Sequence, residues 1–169
     1  MFKWFGMVNF TPYTRVAEFA AHLKDGRIMA SRCSACGARS FPPRADCAAC
    51  MAREFEWMEI SGRGTLHTFT TIAAAPTGFE RYAPYTVGVV DLEEGGRALA
   101  WLGGTIPSGE IAIGMTLQLV PRIEEDVEEI RVFYSLERPG TTWSKAGAAT
   151  VGERQAPPAA AGARRREQG

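Results

Sequence analysis

The stretch RCSACGARSFPPRADCAACM, Arg32 to Met51, gathers all four cysteines of a 169-residue chain within 18 positions, as Cys33-x2-Cys36-x10-Cys47-x2-Cys50. Two residues between cysteines let both sulfurs of a pair turn to one point, and two such knuckles facing each other complete a tetrahedron of metal–sulfur bonds of about 2.3 Å. Four sulfurs leave no open coordination position, so the spacing points to a structural site. Zinc is the default metal, and iron fits the same all-sulfur geometry. The ten-residue spacer is shorter than the roughly 15–20 of the commonest pattern, which a tight hairpin between the knuckles accommodates. A disulfide pair conflicts with a reducing compartment, and a redox thiol pair needs only one Cys-x-x-Cys where the chain has two. Gly37, after the second sulfur of the first knuckle, suits the positive φ such a turn wants. The matching position in the second knuckle is Met51, a poorer fit.

If Cys33, Cys36, Cys47 and Cys50 all hold metal, the chain keeps no thiol nucleophile. Its two histidines, His22 and His67, have no Ser or carboxylate at a spacing that suggests a relay, so both are expected to be structural. "LEEGGRAL" and "WLGGTI" read as hairpin turns, not phosphate loops. The acidic run Glu124-Glu125-Asp126 with Glu128-Glu129 reads as an exposed loop between strands. Catalysis is therefore not expected from this chain alone.

Outward from the cysteine window, Val16, Phe19, Ala20 and Leu23 form the single apolar stripe of a short amphipathic helix that stops at Gly26. Phe41-Pro42-Pro43 must be an extended or turning loop. From residue 55 the apolar period becomes two, which predicts strands at Phe55–Ile60, Gly64–Ile72, Pro84–Leu92, Ala98–Leu102, Leu117–Val120 and Ile130–Ser135. Five or six short strands without helices between them predict a small barrel of the OB type. The expected fold is thus mainly β with a short N-terminal helical segment: helical residues 1–31, a zinc ribbon at 32–54, an OB-fold barrel at 55–137, and a tail at 138–169. The tail is rich in Ala, Pro, Gly and Arg and too poor in apolar bulk to offset its ordering entropy, so it is expected to be disordered. The apolar fraction of 46 % suffices for a real core. No secretory signal and no membrane span are expected, and a cytoplasmic location follows.

The net charge of zero conceals segregation: residues 1–54 carry eight Lys or Arg against four acids, residues 55–137 five against thirteen, and residues 138–169 six against two. An acidic barrel argues against nucleic acid as a partner, since phosphate binding draws on positive charge. The ribbon remains basic, and Arg32, Arg39 and Arg44 are candidates to clamp the phosphates of a small anionic ligand.

The run "F..HLKDGRIMASRCSACGARSFPPRADCAAC", then "SGRGTLHTFTTI" and "APYTVGVVDLEEGGRALAW", resembles the family of small proteins with a rubredoxin-like zinc ribbon and an OB-fold that accompany thiolases and related acyl-CoA enzymes. The resemblance covers about residues 10–137. It rests on the four cysteines, Phe41-Pro42-Pro43-Arg44, Ser61-Gly62 and Ala83-Pro84-Tyr85. It implies a non-catalytic subunit of a hetero-oligomer that completes or stabilises a CoA-thioester site, with the nucleophilic cysteine in the thiolase-like partner. "MFKWFGMVNFTPY" and "FPPRADC" resemble most the members that serve benzoylsuccinyl-CoA thiolysis in anaerobic toluene degradation. Arg32, Arg39 and Arg44 would then face CoA phosphates, although solvated surface is the competing reading. The aromatic loop TGFERYAPY offers Phe79, Tyr82 and Tyr85 as partner anchors, or as a plug for the end of the barrel. A stand-alone acyl-CoA or nucleic-acid binding module, or a docking scaffold for another acyl-CoA enzyme such as an aldolase, is the alternative.

Overall fold

The computed structural model describes residues 16–124 and 131–142. The N-terminal stretch 1–15, most of the acidic run, and the tail from 143 onward lie outside the described residues.

Helix α1 (Glu18–Lys24) buries Phe19, Ala20 and Leu23, the predicted stripe. It packs on the strands Met29–Cys33, Thr116–Glu124 and Arg131–Glu137. Strand β1 (Met29–Cys33) is central in a three-stranded sheet, with β2 (Arg39–Ser40) on one side and β3 (Phe55–Glu59) on the other. Here the structure corrects the sequence reading. Phe55–Glu59 alternates like a strand, as expected, but it pairs with β1 from Met29↔Glu59 to Cys33↔Phe55 and so belongs to the ribbon sheet.

The barrel is built from the five remaining strands, β4 (Arg63–Ile72), β5 (Tyr85–Leu92), β6 (Arg97–Leu102), β7 (Thr116–Glu124) and β8 (Arg131–Glu137). They close in the order β4-β5-β6-β8-β7, with β7 returning to β4 and the one parallel pairing between β6 and β8. Inward positions are apolar: Leu66, Val90, Ala98, Leu117, Leu119, Val132 and Leu136 are fully buried. A sheet this short has to curl on itself to hide that row, and closure leaves few open edges.

Ribbon and barrel share one core. Ile28, Ala30 and Phe41 from the ribbon side belong to the same apolar cluster as the barrel residues. Phe41 is the wedge, its ring 6.0 Å from that of Phe19 and 5.6 Å from that of Tyr134. The peptide bonds Phe41–Pro42 and Ala83–Pro84 are cis.

Candidate functional site: a four-cysteine metal centre and its surroundings

The two knuckles are built alike. In the first, the Cys33 N–H donates to the Ala38 carbonyl (2.8 Å) and the Gly37 N–H to the Cys33 carbonyl (2.8 Å); in the second, Cys47 donates to Ala52 (2.9 Å) and Met51 to Cys47 (2.9 Å). Gly37 takes φ +74° and Met51 φ +62°. The second knuckle thus imposes on a side-chain-bearing residue the turn that glycine makes freely in the first.

These turns bring all four Sγ atoms within 4.8 Å of one another. Cys33 Sγ to Cys50 Sγ and Cys36 Sγ to Cys47 Sγ are each 3.6 Å. A tetrahedron with metal–sulfur bonds of 2.3 Å has edges of about 3.8 Å, so the cage has the size a zinc ion requires. The same separations are far beyond the roughly 2.05 Å of a disulfide. Cys33 and Cys47 are buried, while Cys36 and Cys50 face outward. The backbone N–H groups of Ala49 and Cys50 draw the Cys47 thiol down to about 6. Cys50, although the Ala52 N–H favours its thiolate, is held up at about 12 by the Cys36 sulfur, lost hydration and the other two sulfurs. Four thiolates this close need a cation between them. The donor set and the spacing both fit a closed, structural metal ion.

Of the candidate arginines, Arg32 and Arg39 are register partners on β1 and β2, so their side chains leave the same face, with Glu56 opposite Arg32 on β3. Arg44 is placed differently: its N–H donates to Ser31 Oγ (3.4 Å), and Ser31 lies on the other face of β1. Arg39 also acts on Glu94 across the ribbon–barrel junction. Burial works against the Glu94 carboxylate, yet hydrogen bonding from Ser61 and then the field of Arg39 hold it below the usual range.

Phe79, Tyr82 and Tyr85 converge on a residue the sequence reading passed over, Trp101 of β6. Its ring lies 4.8 Å from Tyr85, 5.2 Å from Tyr82 and 6.3 Å from Phe79. The signal for it was in the alternation of β6: Ala98 and Ala100 are buried, which turns Leu99 and Trp101 outward.

His22 packs edge-on against Trp57 at 5.1 Å. His67 occupies a bulge in β4, and its Nδ1 lies 2.8 Å from Asp91 Oδ2, a carboxylate 24 positions away that spacing did not reveal. Arg97 Nε donates to the other oxygen at 2.6 Å and holds the Asp91 carboxyl below its ordinary range, with His67 adding to the effect. This is an exposed charge cluster, not a relay leading to a nucleophile.

Glu137 was also missed. It is 1 % exposed. Arg122 and Ser135 donate to one of its oxygens, the Thr105 hydroxyl and N–H to the other, and Arg122 Nε also donates to Ser135 Oγ (3.0 Å). Burial pushes its carboxyl up, but the hydrogen bonds from Thr105, Arg122 and Ser135 outweigh that and hold it low. Gly103 makes room for it: a Cβ there would sit 1.6 Å from Glu137 Oε1.

The architecture is thus a four-sulfur ribbon fused through a common core to a five-stranded OB barrel. Comparison with known families matches residues 20–56 to the rubredoxin-like zinc ribbon domain of ChsH2 and residues 57–122 to the ChsH2 C-terminal OB-fold domain, so the boundary between the two falls inside β3. A DUF35 domain-containing scaffold protein of Methanocaldococcus jannaschii is 34 % identical over 116 residues, 67 % of this chain and 82 % of that protein. The benzoylsuccinyl-CoA thiolase subunit BbsA of Thauera aromatica is 36 % identical over 83 residues, 47 % of this chain and 56 % of BbsA. Among solved structures, the Ltp2-ChsH2(DUF35) aldolase superposes with a TM-score of 0.60 at 29 % identity, covering 75 % of this chain and 98 % of that one. The chain belongs to the DUF35 family of zinc-ribbon and OB-fold proteins. Among the described residues no helix is long and apolar enough to cross a membrane.

Proposed function

We propose that this chain is a non-catalytic, zinc-holding small subunit of a thiolase-type acyl-CoA complex, completing or stabilising the CoA-thioester site of a catalytic partner. The observation that carries this is the gathering of all four cysteines into one metal cage, which withdraws the chain's only thiols from chemistry. Thiolysis requires an activated thiolate, which must then come from the partner. Two relatives bear the name of a thiolase subunit, BbsA of Thauera aromatica and of Geobacter metallireducens. On that footing the reaction served is cleavage of benzoylsuccinyl-CoA by CoA to benzoyl-CoA and succinyl-CoA. Arg32 and Arg39, leaving one face side by side, would meet the CoA phosphates there. Like charges opposed across a ladder are unfavourable; Glu56, opposite Arg32 on β3, supplies one counter-charge, and a diphosphate would add to it.

A second reading keeps the subunit role and changes the partner, since the structural neighbour is an aldolase assembly. The full chain should be co-produced with the thiolase-type and the aldolase-type subunits of its own genome. Stable co-elution with the thiolase, together with benzoylsuccinyl-CoA cleavage that falls at least tenfold when this chain is omitted, is the expected result. Elution alone, with the thiolase fully active without it, refutes the proposal, and co-elution with the aldolase selects the second reading.

A further inference from the structure

The sulfur cage has an inner and an outer half. Cys33 and Cys47 are 1 % and 2 % exposed, whereas Cys36 and Cys50, the second sulfur of each knuckle, face solvent. The residues enclosed by the knuckles, Ser34-Ala35 and Ala48-Ala49, are small and exposed, so they offer the outer sulfurs little cover. Each outer sulfur also faces an inner one of the opposite knuckle: Cys36 Sγ lies 3.6 Å from Cys47 Sγ, and Cys50 Sγ 3.6 Å from Cys33 Sγ. Either pair needs to approach by only roughly 1.5 Å to form a bond. Held in the cage, these sulfurs take no part in acyl transfer, but a metal-bound sulfur is a thiolate, the form that attacks electrophiles. A solvent-accessible thiolate with a second sulfur poised beside it to resolve the product is the arrangement of a redox-sensing cysteine.

We infer that Cys36 and Cys50 are oxidation sites through which hydrogen peroxide opens the cage, Cys36 being resolved by Cys47 and Cys50 by Cys33. The outer thiolate attacks the peroxide: an S–O bond forms, the O–O bond breaks, and the departing hydroxide takes a proton and leaves as water, with the cysteine left as a sulfenic acid. The inner sulfur of the opposite knuckle then attacks the sulfenic sulfur. An S–S bond forms, the S–O bond breaks, and the hydroxyl takes a proton and leaves as a second water. Each bridge thus oxidises two cysteines by two electrons and reduces one peroxide to two waters. A bridged pair no longer supplies two thiolates, so the shell loses half its ligands and the metal is released. Phe41 lies in the segment between the two knuckles and packs on Phe19 and Tyr134, so the event reaches the shared core. The switch belongs to the chain itself and holds whichever enzyme the subunit serves.

The test treats the metal-loaded full chain with hydrogen peroxide and reads released metal with a chromogenic chelator. Trypsin cuts after Arg32, Arg39, Arg44 and Arg53, so the knuckles leave as the separate peptides 33–39 and 45–53, which only a bridge across the knuckles joins. Dimedone, which traps sulfenic acids, reports the sulfur attacked first. Peroxide is expected to speed metal release at least about tenfold over the untreated chain. The two peptides should then be joined, with fragmentation placing the bridges at Cys36–Cys47 and Cys33–Cys50, and dimedone should be found on Cys36 or Cys50. Dithiothreitol with added zinc should restore the metal-loaded form and its melting temperature. Metal retained under an about tenfold excess of peroxide, bridges in any other pairing, dimedone on Cys33 or Cys47 first, or a product that dithiothreitol does not reverse each overturns the inference.

Discussion

Removing the Arg122 guanidinium while leaving Glu137 in place should expose the energetics of the barrel's one fully buried carboxylate among the described residues. Arg122→Met keeps the aliphatic stem and takes away the counter-charge of a carboxylate that is 1 % exposed. Breaking a buried pair from one side costs about 3–5 kcal/mol. The Arg122 side chain retains 25 % exposure, and Thr105 and Ser135 still donate to Glu137, so the lower end, about 3 kcal/mol, is expected. For a domain of this size that lowers the melting temperature by on the order of 10 °C. The pH dependence carries the sharper signature. In the parent, the Glu137 carboxyl is held below its unfolded value, so it contributes stability above an unfolded pKa of about 4.3 and loses that contribution as pH falls through the lower folded value. In Arg122→Met the folded value is expected to rise, because only Thr105 and Ser135 then oppose burial. The variant's loss of stability relative to the parent then builds up as pH rises from the parent's folded value to the variant's raised one, and is complete above it. The stability gap between the two proteins should therefore be widest near pH 7–8 and shrink towards pH 4.5. Urea unfolding of the metal-loaded proteins at several pH values measures this. A gap below about 1 kcal/mol at pH 7, or one independent of pH, refutes the assignment of Arg122 as the partner that keeps Glu137 ionised.

Two further outcomes follow from the metal centre. The parent should hold about one metal ion per chain by elemental analysis, and Cys36→Ser should lose most of it together with the ordered ribbon, since three sulfurs and a hydroxyl no longer close the shell. Met51, 75 % exposed at φ +62°, should be improved by glycine: relief of the left-handed conformation, about 1–2 kcal/mol, exceeds glycine's extra chain entropy of about 0.5–1 kcal/mol. Met51→Gly is thus expected to hold its metal against chelator longer than the parent, and a faster loss would contradict the strain argument.

What was legible in the sequence was local. The cysteine spacing identified the cage because two-residue knuckles are fixed by short-range geometry. The two-residue period placed β4 to β8 within a few positions of their observed ends. Phe55–Glu59 was read correctly as a strand and wrongly as part of the barrel, because alternation states that a strand exists and says nothing of its neighbour. The same limit hid Asp91 beside His67, Trp101 beneath Tyr82 and Tyr85, and the set of Arg122, Ser135 and Thr105 around Glu137. The contacts His67–Asp91, Arg122–Glu137 and Thr105–Glu137 are made across 24, 15 and 32 positions, and among the thirteen acids of residues 55–137 nothing in the sequence set Glu137 apart.

Phe41, wedged between Phe19 and Tyr134, makes the ribbon and the barrel a single cooperative unit. Free energy released when the cysteines take up metal is then available to the barrel wall, because opening the ribbon withdraws Phe41 from the packing that holds β8. Thermodynamic linkage requires the reverse as well: whatever stabilises the barrel should slow the release of metal from the cage. A metal ion held by the four cysteines would then act on the whole chain through one shared core, and chelation should lower the melting temperature of the barrel together with that of the ribbon.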